Sequence, residues 1–168
     1  MSSVDDVVYL WHEGVYPPLE MHVSQVYGYV FDDQGRVTVL RNDSMWNLPG
    51  GTPEPTDENQ VATLAREVHE EVQVEIADPV YLGFQEVRRR GANPYAQLRM
   101  AARAIRFLDR TPDPDKGQVH VRRRCSMSEA LALLDWGPVV EEQAKAATCV
   151  AEARWHLPMD ETVSSYTD

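Results

Sequence analysis

A cluster of carboxylates on one helical face constrains this chain more than any other feature. In Arg66-Glu67-Val68-His69-Glu70-Glu71 the acids Glu67, Glu70 and Glu71 stand at i, i+3 and i+4, positions that share one face of an α-helix. Three like charges so placed repel, and a helix gains nothing from them alone. A hard divalent cation reverses that balance, because Mg²⁺ takes oxygen ligands from carboxylates, waters and substrate phosphates. Val61, Ala62, Leu64, Ala65, Val68 and Val72 supply the apolar side of the same helix, which therefore needs another layer to cover it. The helix is expected to run from Glu58, with Thr56 or Asp57 as N-cap. Upstream, Pro49-Gly50-Gly51 reads as a tight turn that exposes backbone N–H groups and lets a ligand come close.

Strand-like segments flank this unit. Residues 22–31, HVSQVYGYVF, are rich in β-branched and aromatic types, and Asp32-Asp33-Gln34-Gly35 turns the chain into the alternating RVTVLR of Arg36–Arg41. Val7–Trp11 reads as a short strand. Trp11 and Tyr16 could serve as an aromatic lid or a homodimer contact, packing being the commoner role. After the helix, Asp78-Pro79 is expected to break the chain before a strand over Val80–Val87. Arg88-Arg89-Arg90 then forms a basic loop, either solvated or a rim that meets an anionic substrate. In Tyr95–Leu108, alternation sets Gln97, Arg99, Ala101 and Arg103 on one face. Buried arginines are costly unless paired, so Arg99 is expected to meet a carboxylate of the fold or a substrate phosphate. Val119–Cys125 alternates as a last strand. Ser126 or Ser128 caps a helix from near Glu129, and Val139–His156 forms another after Gly137-Pro138. Strands before and after one helix, then terminal helices, predict a mixed sheet covered by helices.

The stretch from Gly51 to Val74 resembles the Nudix box, G-x5-E-x7-R-E-U-x-E-E-x-G-U with U aliphatic. Glu58, Arg66-Glu67, Val68, His69, Glu70-Glu71, Val72 and Val74 match it position by position. Two departures stand out. Six residues, not five, separate Gly51 from Glu58, and Gln73 occupies a glycine position. Since Gln73 resists positive φ, the helix should run on toward Glu75 or stop with negative φ.

The resemblance implies an α/β fold, a Nudix-like α/β/α sandwich around a central mixed sheet. It implies one domain over 1–168 with terminal helices from about 128–157. The implied activity is hydrolysis of a nucleoside diphosphate linked to another group X, with Mg²⁺ or Mn²⁺ as cofactor. By the family pattern Glu67, Glu70 and Glu71 bind the metal with the Gly51 carbonyl, Glu58 completes the cluster or locks the loop, and Arg66 orients the glutamates. In some members a box glutamate is also the base; in others the base lies in a later loop. Glu67, Glu70, Glu71 and Arg66 are thus the catalytic candidates, and Arg41, Arg99, Gly50 and Gly51 the substrate-binding ones. Asp113, Asp115, Glu141 and Glu142 are candidates for an acidic ligand outside the box. Two alternatives share the fold: a domain that senses a nucleotide without cleaving it, and a diphosphate isomerase.

Composition narrows the partners. A formal net charge of -11 over 168 residues argues against duplex nucleic acid, whose phosphates need a basic footprint. Small phosphorylated ligands remain, because a bound metal supplies local positive charge. Cys125 and Cys149 form neither a disulfide framework nor a zinc spacing. The amino terminus lacks a basic region followed by an apolar run, so no signal peptide is expected. With no stretch long enough to span a membrane, the cytoplasm is the expected location.

Overall fold

The computed structural model describes residues 6–168; the reading of the extreme amino terminus bears in part on residues 1–5, outside that range. Alternation in the strands decides the layers. Strand β2 (His22–Phe31) turns Val26 and Val30 to one face and Tyr27, Tyr29 and Phe31 to the other. Val26 and Val30 pack with Leu64, Val68 and Val72 of helix α1 (Gln60–Val72). The aromatic set packs with Ala130 and Leu134 of α2 (Met127–Leu134) and Ala144, Ala147 and Ala151 of α3 (Pro138–Trp155). The layers are therefore α1, sheet, and α2 with α3: an α/β/α sandwich. Gly28 serves this packing directly, since a Cβ there would lie 2.8 Å from Leu64 Cδ1.

The sheet is mixed. Strands β1 (Val7–Glu13), β6 (Val74–Arg89), β7 (Tyr95–Phe107), β2, β3 (Val37–Asn42), β8 (Val121–Cys125) and β9 (Tyr166–Thr167) follow one another across it. Short β4 (Met45–Asn47) pairs with β3, and β5 (Gly50–Gly51) pairs with β2. The β2–β7 pair is parallel, and the others are antiparallel.

The expected break at Asp78-Pro79 is a bulge within one long strand. Asp78 adopts φ 52° and the register shifts between Ala77 and Val80, while pairing with β7 resumes on both sides. Asp78 is held there by Arg154 at 2.7 and 2.9 Å and by Trp155, which keep its carboxyl well below the ordinary carboxylate range. Ser126 caps α2, accepting from the Glu129 N–H at 3.2 Å, so that helix starts at Met127, before the expected Glu129. Pro138 opens α3, where its missing N–H costs nothing. Trp11 packs on the α3-side core. Tyr16 stacks on Tyr81 at 4.3 Å between centroids. Among the described residues no helix is long and apolar enough to cross a membrane.

Candidate active site

Helix α1 brings the three box carboxylates to the β5 end of the sheet. Its N-cap is Asn59, whose side chain accepts from the Ala62 N–H at 2.9 Å. The expected cap at Thr56 or Asp57 and start at Glu58 are thus each displaced, because Asp57 has other work. Asp57 takes Arg66 Nε and Nη2 at 2.9 Å each, and also accepts from the Thr63 hydroxyl and the Glu54 N–H. These bonds, Arg66's first, hold its carboxyl far below the ordinary carboxylate range. Glu58, expected to complete the metal cluster or lock the loop, is exposed in the loop before the cap. Counted to Asp57, the loop after Gly51 has the expected five residues, and the extra one lies between Asp57 and the helix.

Arg66 spans the carboxylate face. Its Nη1 reaches Glu67 Oε1 at 3.0 Å and Glu70 Oε2 at 3.2 Å, and its Nη2 the Thr52 carbonyl at 3.0 Å. Glu71 is buried and accepts the Gly50 N–H at 2.8 Å through Oε1. The glycine turn is therefore a two-residue strand, with its Gly50 N–H already bound rather than offered to a ligand. Gly50 has φ 148°, and a Cβ would meet the Val26 carbonyl at 2.1 Å. At Gly51 a Cβ would lie 2.5 Å from Glu67 Cδ, so glycine leaves the room that this carboxylate occupies. Burial pushes the Glu71 carboxyl up to about 8, against the pull of the Gly50 N–H. Burial also raises Glu67, although Arg66 opposes it.

Each of these carboxylates spends one oxygen on the protein. Among the described residues the other oxygen carries no hydrogen bond. Free carboxylate oxygens on one helix face are hard donors of the kind a divalent cation takes.

The loop over 109–120 adds groups from outside the box. His120 Nε2 and Asp113 Oδ2 are 2.9 Å apart, and Asp113 Oδ1 accepts the Asp115 N–H at 2.8 Å. Ligand atoms of Glu71, Asp113 and His120 all lie within 4.8 Å of one another, and all three residues are buried. Burial raises the Asp113 carboxyl, but the His120 and backbone bonds outweigh it and the net shift is downward. Asp115 and Lys116 act on Glu67 and Glu71 through their charge. Of the four outside acids, then, the structure brings Asp113 and Asp115 to the box. Glu141 and Glu142 sit exposed on α3, beyond the opposite face of the sheet. His120 carried no signal in the sequence, since nothing in its spacing marks it as the partner of Asp113. His69 is exposed.

Gln73 ends α1 in the left-handed region, at φ 48° and ψ 52°, contrary to the expected continuation or negative φ. Side-chain bonds offset the strain. Gln73 Nε2 donates to the Glu70 carbonyl at 2.7 Å, and Oε1 accepts from Arg110 and from the Thr111 N–H. Arg122 Nη1 covers the last carbonyls, those of Val72 at 2.8 Å and Gln73 at 3.2 Å.

The other substrate-binding candidates separate. Arg41 is exposed on β3 and stacks on Trp46, 5.5 Å from the ring centroid. Arg99 lies on the α3 side of the sheet, 1% exposed, and meets no box carboxylate. It lines a cavity of about 420 Å³ with Tyr27, Asn47, Gln85, Gln97 and Trp136. Arg103 pairs with Asp33 at the surface. The expected basic loop begins only at Arg90: Arg88 and Arg89 are the last residues of β6, where Arg88 pairs with Glu86 and Arg89 lines the cavity.

A family model described as the NUDIX domain matches residues 21–158. Among solved structures, the chain is similar to a Nudix hydrolase from Nitrosomonas europaea, with 20% identity and a TM-score of 0.57 over 77% of this chain and 90% of that one. It is similar to the ORF135 protein of E. coli, with 24% identity and a TM-score of 0.53 over 86% of this chain and 100% of that one. It is also similar to the Bacillus subtilis pyrophosphohydrolase BsRppH, with 18% identity and a TM-score of 0.52; there the match covers 60% of this chain and spans 62% of that protein's length. At these identities the likeness is one of fold. No curated protein matches the chain.

Proposed function

We propose that this chain, which belongs to the Nudix hydrolase family, is a divalent-metal-dependent pyrophosphohydrolase acting on a nucleoside diphosphate joined to another group X. The observation that carries this reading is the carboxylate face of α1, where Glu67, Glu70 and Glu71 each keep one oxygen free. Those oxygens and the Gly51 carbonyl would hold Mg²⁺ or Mn²⁺. The ion supplies charge neutralisation for the phosphates and activation of water.

The chain's own residues do the positioning. Arg66, clamped by Asp57, fixes the rotamers of Glu67 and Glu70 and tempers their mutual repulsion. Gly50 holds Glu71 through its N–H. In the reaction water adds to phosphorus and gives up one proton to a general base or to solvent, the bridging P–O bond breaks, and the leaving phosphate departs with the electron pair. We place this activity in one domain over 1–168, working in the cytoplasm on small phosphorylated substrates.

A substrate panel with Mg²⁺, with Mn²⁺ and with chelator, reading phosphate and pyrophosphate release separately, tests the proposal. Metal-dependent release that falls by orders of magnitude in Glu70→Gln is expected. Release from no substrate, or unchanged turnover in Glu70→Gln, refutes it.

A further inference from the structure

Beside the glutamate face of α1 lies a buried trio that mixes two kinds of ligand. Glu71, Asp113 and His120 are 8%, 4% and 3% exposed, and each brings one ligand atom within 4.8 Å of the others. Glu71 accepts the Gly50 N–H through Oε1, and among the described residues its Oε2 has no partner. The Asp113 charge presses on Glu71, and Lys116 answers it through its own charge alone. Two carboxylates buried side by side are costly unless a cation joins them. His120 does not join them, because its Nε2 is engaged by Asp113 Oδ2 at 2.9 Å.

The loop holds these groups in place before any ligand arrives. The Asp113 N–H donates to the Gln118 carbonyl at 2.8 Å, and the Gly117 N–H donates to the Asp113 carbonyl at 2.7 Å. Asp113 Oδ1 accepts the Asp115 N–H at 2.8 Å, which leaves Oδ2 turned to His120. Arg110 donates to the His120 carbonyl. Ligand atoms bound to one ion at about 2.1 Å stand at most about 4.2 Å apart. The trio therefore has to close by no more than about half an ångström around an ion of that size.

We infer that Glu71, Asp113 and His120 form a second metal site, sharing Glu71 with the glutamate face and taking a divalent transition ion in preference to Mg²⁺. The imidazole makes the difference. Mg²⁺ keeps to oxygen donors, whereas Zn²⁺ and Co²⁺ bind a histidine nitrogen together with carboxylates. On binding, the ion takes the place of the proton between His120 Nε2 and Asp113 Oδ2; that proton moves to Nδ1 or to solvent. The buried carboxylates then face a cation directly, with the remaining positions of the ion open to water.

Co²⁺ absorption in the visible range, recorded with the wild-type chain in excess Mg²⁺, reads the site without any turnover. Co²⁺ should bind under these conditions and be displaced by Zn²⁺. In His120→Asn and in Asp113→Asn its affinity should fall at least about tenfold, while Glu67→Gln, outside the trio, should retain it. Because a buried substitution can prevent folding, the wild-type protein gives a second readout: the ring ¹⁵N resonances of His120 should move on addition of Zn²⁺ and stay in place on addition of Mg²⁺. Displacement of Co²⁺ by Mg²⁺, full affinity in a folded His120→Asn, or an unmoved His120 ring overturns the inference. The site does not rest on the pyrophosphohydrolase reading. Hydrolysis beside an unmoved His120 ring refutes this inference alone, and a shifted ring in a protein that hydrolyses no nucleotide refutes the other.

Discussion

Glu71→Gln separates the stability of this site from its activity. The carboxyl is buried, and its folded pKa is pushed up to about 8 from an ordinary 4.5. A carboxyl whose folded pKa lies above its unfolded value binds its proton more tightly in the folded state. Folding stability then falls as pH rises through the window between those two values, and is level on either side of it. Near pH 7 the metal-free protein should have lost about 3 kcal/mol relative to pH 4.5 through this group. Glutamine keeps an acceptor for the Gly50 N–H and carries no charge. The variant should therefore be up to about 3 kcal/mol more stable than wild type near pH 7 in chelator, and no more stable near pH 4.5. Urea denaturation at both pH values measures it. Adding Mg²⁺ should stabilise the wild type but not the variant, because only a folded site with its carboxylate binds the ion. Turnover in the variant should fall by orders of magnitude. Parallel stability-versus-pH curves for the two proteins would refute the reasoning.

Two further substitutions test the supports of the site. Asp57→Asn should cut turnover about 10- to 100-fold by loosening Arg66, whereas Glu58→Gln should leave it unchanged; the reverse order in a kinetic assay would overturn the assignment of the clamp to Asp57. Gln73→Gly relieves roughly 1 kcal/mol of left-handed strain but deletes bonds to Glu70, Arg110 and Thr111, each worth about 1 kcal/mol. A net loss of about 1–2 kcal/mol in a melting experiment, with metal affinity nearly unchanged, is expected; a gain in stability would show that those bonds contribute nothing.

The carboxylate face was legible in the sequence because helical periodicity is local: i, i+3 and i+4 fix Glu67, Glu70 and Glu71 on one side wherever the helix packs. Strand alternation likewise separated Arg99 and Gln97 from Leu98 and Met100, and the order of elements gave the α/β layering. Partnership was not legible. Asp57 and Glu58 are adjacent acids of equal chemistry, and only the path of the loop decides which one meets Arg66. The left-handed turn at Gln73 defies local preference because its own side chain returns to the Glu70 carbonyl and the distant Arg110 and Arg122 side chains bond it. Asp113 and His120 reach Glu71 through the fold of a long loop, which no spacing encodes. The hydrogen-bonded amides of Gln25, Gln97, Gln85 and Gln143, the last of which meets Arg99, come from three strands and a helix. Each reads alone as an ordinary polar residue, and their pairing exists only because tertiary structure sets them in line.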